Sequence, residues 1–194
     1  MNNVLRLPLL VLLAVLFVAG CTPRQAPPLQ SSGLGGAFNL VDQDGKPVRD
    51  SDFEGKYRIM YFGYTFCPDA CPTDLQVIGQ ALASFEKKDP KRGAMVQPIF
   101  ISVDPARDTP AVLKRYVAAF HPRLIGLTGP EDEIAKVARR YGASYQRGAG
   151  NGGSYLVDHT RQAIIYGPKG EPIALLPTDE GAKAVAQALD TWVQ

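Results

Sequence analysis

Histidine and cysteine are scarce in this chain, with two of the first and three of the second among 194 residues. Any sulfur or imidazole chemistry therefore rests on a handful of named positions. No stretch is rich in lysine and arginine, and the formal net charge is only +2, so nothing supports a nucleic-acid surface. Internal repeats and low-complexity tracts are missing as well. The remainder is ordinary: 45% hydrophobic and 21% charged residues describe a globular chain, long enough for one domain with a sizeable core. Sixteen prolines and nineteen glycines imply many turns.

A long apolar run is also lacking. "LPLLVLLAVLFVAG", residues 7–20, is shorter than the roughly 20 residues of a spanning helix. Preceded by Arg6 and closed by small residues, it has the marks of an export signal. "LFVAGC" is similar to a bacterial lipoprotein box, which implies cleavage after residue 20 and a lipid on Cys21. Residues 22–36, "TPRQAPPLQSSGLGG", have the composition of a tether, so the expected division is signal 1–20, tether 21–37 and folded domain 38–194. With Cys21 set aside, the exported domain keeps one pair, Cys67 and Cys71. In an oxidising compartment such a pair is cross-linked or held reduced for a purpose.

Along the domain, "FNLVDQDGKPV" reads as a hairpin turning at Asp44-Gly45. "YRIMYFGY" and "PIFISV" are buried strands, "LIGLTG" a short one, and "SYLVDHT", "QAIIYG" and "IALL" complete the set. Helical spacing begins at Pro72, with Leu75, Ile78, Leu82 and Phe85 on one face. Further helices are expected from Thr109 as N-cap, over "PEDEIAKVARRYG" and over "TDEGAKAVAQALDTWV". Alternating strands and helices imply a largely parallel sheet covered on both faces, with an antiparallel hairpin near the end: an α/β thioredoxin-like sandwich with an extra N-terminal β-hairpin.

The chemistry gathers in "YFGYTFCPDACPTDL", between a strand and a helix, at the sheet end where α/β proteins bind ligands. Pro72 suits the first helical position, which makes Cys71 the expected N-cap and Asp74 the N3 residue. A thiolate at that point faces free N–H groups, so its pKa is expected to fall. Spacing alone leaves two readings open for Cys67 and Cys71, a disulfide switch or a metal clamp. Of the histidines, His121 in "FHPRL" is expected to face solvent or a helix end. His159 in "YLVDHT" follows the glycine-rich "GAGNGGS", a loop able to swing it towards the cysteines, with Asp158 a candidate to orient its ring. Asp104, Arg107 and Asp108 in "SVDPARDTP" could orient the cysteine loop or face a partner, but are expected first to cap the next helix and pair with one another.

Together, "YFGYTFCPDACPTDL", "SVDPARDTP" and "YLVDHT", in this order, closely resemble the Sco/SenC family of copper-binding thioredoxin-like proteins, over about residues 38–193. The resemblance implies that Cys67, Cys71 and His159 hold one copper ion, Cu(I) or Cu(II). It also implies a role in building the Cu-A centre of cytochrome c oxidase subunit II, by delivering copper, by reducing the target's cysteine pair, or by both. Other copper carriers or thiol reductants of the periplasm would then be partners, and the lipoprotein would face the periplasm from the inner membrane. Some relatives carry acidic residues where this chain has "GAGNGGS". A metal-free exported thiol–disulfide oxidoreductase is the alternative, although its usual pair is a closer CxxC. "CPTDL" is also similar to the "CPTE" of peroxiredoxins, but Pro68 stands where their threonine belongs. The expected activity is metal transfer, with thiol–disulfide reduction by Cys67 and Cys71 as its enzymatic side.

Overall fold

The hairpin β1 (Asn39–Asp42) and β2 (Pro47–Arg49) turns at Asp44-Gly45 as expected, and Asp42 Oδ1 accepts from the N–H groups of Asp44 and Lys46. The computed structural model describes residues 25–150 and 154–194. The signal expected over residues 1–20, Cys21, and residues 151–153 of the glycine-rich loop lie outside the described residues. The strands β3 (Tyr57–Gly63), β4 (Val96–Ser102), β5 (Ile125–Thr128), β6 (Tyr145–Arg147), β7 (Val157–His159), β8 (Ala163–Tyr166) and β9 (Pro172–Leu176) follow. Between them run α1 (Ala70–Lys88), the single turn α2 (Pro90–Gly93), α3 (Pro110–Val117) and α4 (Glu131–Arg140), and α5 (Ala182–Trp192) closes the chain.

Seven strands form one sheet in the order β2-β1-β5-β4-β3-β8-β9. The expected parallel character holds only at its centre, where β3 pairs with β4 and β4 with β5. The N-terminal hairpin adds antiparallel to β5, and β8 and β9 form the antiparallel hairpin expected near the end, with β8 antiparallel to β3, so the sheet is mixed. Residues 43–46 and 167–171 are too short to cross over a sheet, so β1–β2 and β8–β9 can pair only antiparallel.

β3 is apolar throughout apart from Arg58, and all seven of its residues are buried, as a strand covered on both faces requires. Tyr61 points to one face, where its hydroxyl reaches Asp74 of α1, while the next residue, Phe62, meets Tyr141 at the end of α4 on the other. Phe100 of β4 stacks on Tyr61 and meets Tyr116 of α3, which puts α1 and α3 on the same face. The helical stripe Leu75, Ile78, Leu82 and Phe85 is buried as its spacing predicts. Thr109 caps α3 by accepting from Val112 N–H, and Pro110 opens it. The last helix begins later than expected, because Gly181, at φ +87°, separates the short 3-10 turn Thr178–Glu180 from α5.

The segment expected to be a free tether is docked from Leu29 onward. Leu29 N–H donates to Ile173 O at 3.0 Å, Gly35 N–H to Arg140 O at 2.8 Å, and Tyr141 Oη to Gly36 O at 2.8 Å. Leu29 and Leu34 pack on the core, which the proline-rich composition conceals. Among the described residues, no helix is long and apolar enough to cross a membrane.

Candidate metal centre

The site grows from the carboxyl end of β3. After Gly63 and buried Tyr64 the chain must turn, and Asp108 holds that turn. Its carboxylate accepts from Thr65 N–H (3.0 Å), Thr65 Oγ1 (2.6 Å) and Ser102 Oγ (2.6 Å), tying the cysteine loop to the end of β4. Burial pushes the Asp108 carboxyl up, and the hydrogen bonds from Ser102 and Thr65 oppose the rise. Asp108 therefore braces the cysteine loop as well as sitting before the helix.

α1 starts at Ala70, with Asp69 as its N-cap, two residues earlier than Pro72 suggests. Cys71 is thus inside the first turn, and its own N–H donates to Cys67 Sγ at 3.4 Å. The free N–H of the helix start is spent on the Cys67 sulfur, not on that of Cys71. Cys71 is fully buried, and burial pushes its thiol up, against the fall expected from a cap position. Asp74 is correspondingly no N3 residue: it is buried and bonded to Tyr61 and Arg161. Both cysteines are free thiols, Cys67 half-buried and Cys71 buried.

Gly63 makes room for the second sulfur. A Cβ on it would lie 2.7 Å from Cys71 Sγ and 3.0 Å from the Phe100 ring, a space no other residue leaves open.

His159 arrives on a separate arm. β7 leaves the main sheet and pairs with β6 in a two-stranded ribbon, His159 opposite Tyr145. The ribbon brings Nε2 to 3.2 Å from Cys71 Sγ, with the ring edge-on to Tyr64 and Tyr61. Nδ1 lies 3.1 Å from Thr160 O, and a carbonyl only accepts, so Nδ1 carries the proton and Nε2 turns its lone pair to the sulfurs. Burial lowers the pKa of the ring and keeps it neutral, opposed by the hydrogen bond to Thr160 O and the charge of Asp74. Asp158, offered above as the orienting group, is exposed, and a backbone carbonyl does that work.

The arm is held from both flanks. On one, Arg107 Nη1 donates to Tyr155 O at 2.9 Å, Tyr155 Oη donates to Asp104 Oδ1 at 2.6 Å, and Arg107 pairs with Asp104. On the other, Arg161 forks onto Asp74. The expected pairing of Asp104 with Arg107 is present, but its reach to the histidine arm is new. His121 lies elsewhere and is buried, not solvent-facing: its Nδ1 accepts from Arg123 N–H and its Nε2 lies 3.5 Å from Glu86.

Sequence reasoning missed the ribbon, Arg161 and the tie made by Asp74. It did single out the three converging side chains. The ligand atoms of Cys67, Cys71 and His159 all lie within 4.8 Å of one another, and among the described residues this is the one group of three or more such side chains. Two soft sulfurs and one imidazole nitrogen suit a soft cation better than magnesium or calcium, which prefer oxygen. Structural zinc takes four protein ligands, one more than this group offers.

A thioredoxin-like domain with a Cys-x3-Cys pair on the loop after its central strand, met by a histidine on a side ribbon, defines a class of thiol–imidazole metal-site proteins. The chain belongs to the SCO1/SenC family, whose model matches residues 26–194. It is 42% identical over 148 residues to the mitochondrial protein SCO2 of Saccharomyces cerevisiae, covering 75% of this chain and 48% of that one. Among solved structures it resembles ScoI of Bradyrhizobium japonicum with copper bound, at TM-score 0.74 and 38% identity over 82% of this chain and 99% of that one. Yeast Sco1 with copper bound gives TM-score 0.75 and 36% identity, over 83% and 88%. The chain spans about half the length of the first curated relatives it matches.

Proposed function

We propose that this protein carries one copper ion between Cys67, Cys71 and His159 and hands it to an acceptor, the Cu-A site of cytochrome c oxidase subunit II. The observation that carries the reading is the convergence of those three ligand atoms within 4.8 Å at the open end of the sheet. It is supported by the donor chemistry, since thiolates select Cu(I) and imidazole accepts either copper state. The copper-bound neighbours at 36–38% identity support it further. Three ligands leave room for an acceptor's own donor, so copper leaves by ligand exchange. The oxidase as acceptor follows from the motif resemblance. Residues 1–21 support export and an anchoring lipid on Cys21, and the family role favours the inner membrane as the anchor, facing the periplasm.

The sulfurs also differ in a way that suits disulfide reduction. Cys67 is half-exposed and accepts the helix N–H, while Cys71 is buried behind it. Cys67 as thiolate would attack an acceptor disulfide and Cys71 would then displace the second acceptor thiol. The products are one Cys67–Cys71 disulfide and two acceptor thiols, with two electrons passed.

Copper titration of the reduced protein tests the reading. One ion binds per chain, His159→Ala weakens Cu(II) binding, and Cys67→Ser abolishes the strong thiolate-to-Cu(II) absorption band. Transfer to an apo Cu-A domain follows by the appearance of its own band. Unchanged Cu(II) affinity in His159→Ala would remove the imidazole from the site.

A further inference from the structure

Asp74 and Arg161 do not touch the sulfurs, yet they join the two halves of the site. Asp74 follows Cys71 by three residues on α1, and Arg161 follows His159 by two. The Asp74 carboxylate is 1% exposed and holds three hydrogen bonds. Tyr61 Oη donates to Oδ2 at 2.8 Å, Arg161 Nε to Oδ2 at 3.2 Å, and Arg161 Nη2 to Oδ1 at 3.0 Å. Such a fork fixes direction as well as distance. A carboxylate buried this deeply is costly without its cation, so Asp74 holds Arg161 down, and with it the backbone that carries the imidazole. The Arg107–Tyr155 contact pins the other side of the histidine, four residues before it.

The two copper states ask different things of the arm. The two thiolates satisfy Cu(I) by themselves, whereas Cu(II), the harder ion, draws on the nitrogen. Resting on the copper reading above, we infer that the Asp74–Arg161 pair is a latch that keeps His159 against Cys71 and thereby sets the preference of the site for Cu(II). Arg161 and Asp74 are positioning residues, acting through His159.

The test measures Cu(I) and Cu(II) affinities of the full protein by chelator competition, alongside the thiolate-to-Cu(II) absorption band. Arg161→Gln lowers Cu(II) affinity about 10–100-fold and weakens or shifts the band, the range typical for groups that orient a metal ligand. Cu(I) affinity changes little. Asp74→Asn produces the same selective loss, and the double variant adds little more, because the two side chains act as one unit. Arg161→Lys restores part of the Cu(II) affinity, since it returns the charge without the fork. An unaltered Cu(II) affinity and band in Arg161→Gln overturns the latch. An equal loss for both copper states also overturns it, because that is the signature of general destabilisation. Should Arg161→Gln fail to fold, Arg161→Lys decides: selective Cu(II) loss upholds the latch and none overturns it. Failure of the unaltered protein to bind copper in either state is a separate result that defeats the copper reading.

Discussion

Substituting Gly63 by alanine puts one methyl group into the tightest place in the site. The new Cβ would stand 2.7 Å from Cys71 Sγ, 3.0 Å from Phe100 Cε2 and 3.1 Å from Tyr61 Cε1. Non-bonded contacts settle at about 3.5–4.0 Å, so the sulfur would have to retreat by about 0.8 Å or more. No flexible end is available to absorb this, since Tyr61, Phe100 and Cys71 are all fully buried. Overpacking of this kind costs about 1–3 kcal/mol. The sulfur cannot retreat without leaving its place beside His159 Nε2, and a metal site tolerates a ligand displacement of only about 0.5 Å. Urea unfolding of the metal-free protein should show the stability loss at an unchanged m-value. At 1.4 kcal/mol per decade, a comparable loss from the site weakens Cu(I) binding by roughly 5- to 150-fold, measurable with a chromophoric chelator. If Gly63→Ala unfolds earlier yet binds Cu(I) as tightly as before, the tie between this glycine and the site is wrong. If neither quantity moves, the packing argument itself fails.

Two further outcomes concern the loop and the thiol. Asp108→Ala strips the acceptor from Thr65 and Ser102 and should cost about 1–3 kcal/mol in urea unfolding, with faster amide exchange at Thr65 and Cys67; unchanged exchange there would show that the loop holds itself. Burial raises the Cys71 pKa, so its proton must leave when a metal binds. Apparent Cu(I) affinity should therefore climb with pH across the neutral range, by up to about tenfold per unit for each proton displaced, and a flat profile would mean that Cys71 is not a ligand.

What could be read from the sequence was what local pattern encodes. The apolar run of β3 and the stripe from Leu75 to Phe85 announce themselves, because burial imposes a period on neighbouring residues. The start of α1 differs from the expected one because Pro72 is favourable at the first helical position yet tolerated throughout the first turn, where its missing N–H has no partner to lose. The pKa of Cys71 moves opposite to the direction expected of a cap residue, because burial, a property of the whole fold, outweighs the helix end. β6 escaped notice because "YQR" has three residues and no apolar alternation. The tie between Asp74 and Arg161 joins positions 87 residues apart and leaves no local trace. His121 is similar: the Glu86 and Arg123 that surround it meet only once the helix and the loop have packed.

The docked N-terminal segment has a geometric consequence. Gln25, Ala26 and Pro27 line a cleft with Tyr57, the first residue of β3, and with Trp192. The sulfurs lie just past Gly63, its last residue, about 20 Å away at roughly 3.3 Å per strand residue. The backbone therefore enters the domain at the pole opposite its reactive face. A lipid holding the chain from that side would turn the thiols and the imidazole outward, towards whatever projects from the same membrane to meet them.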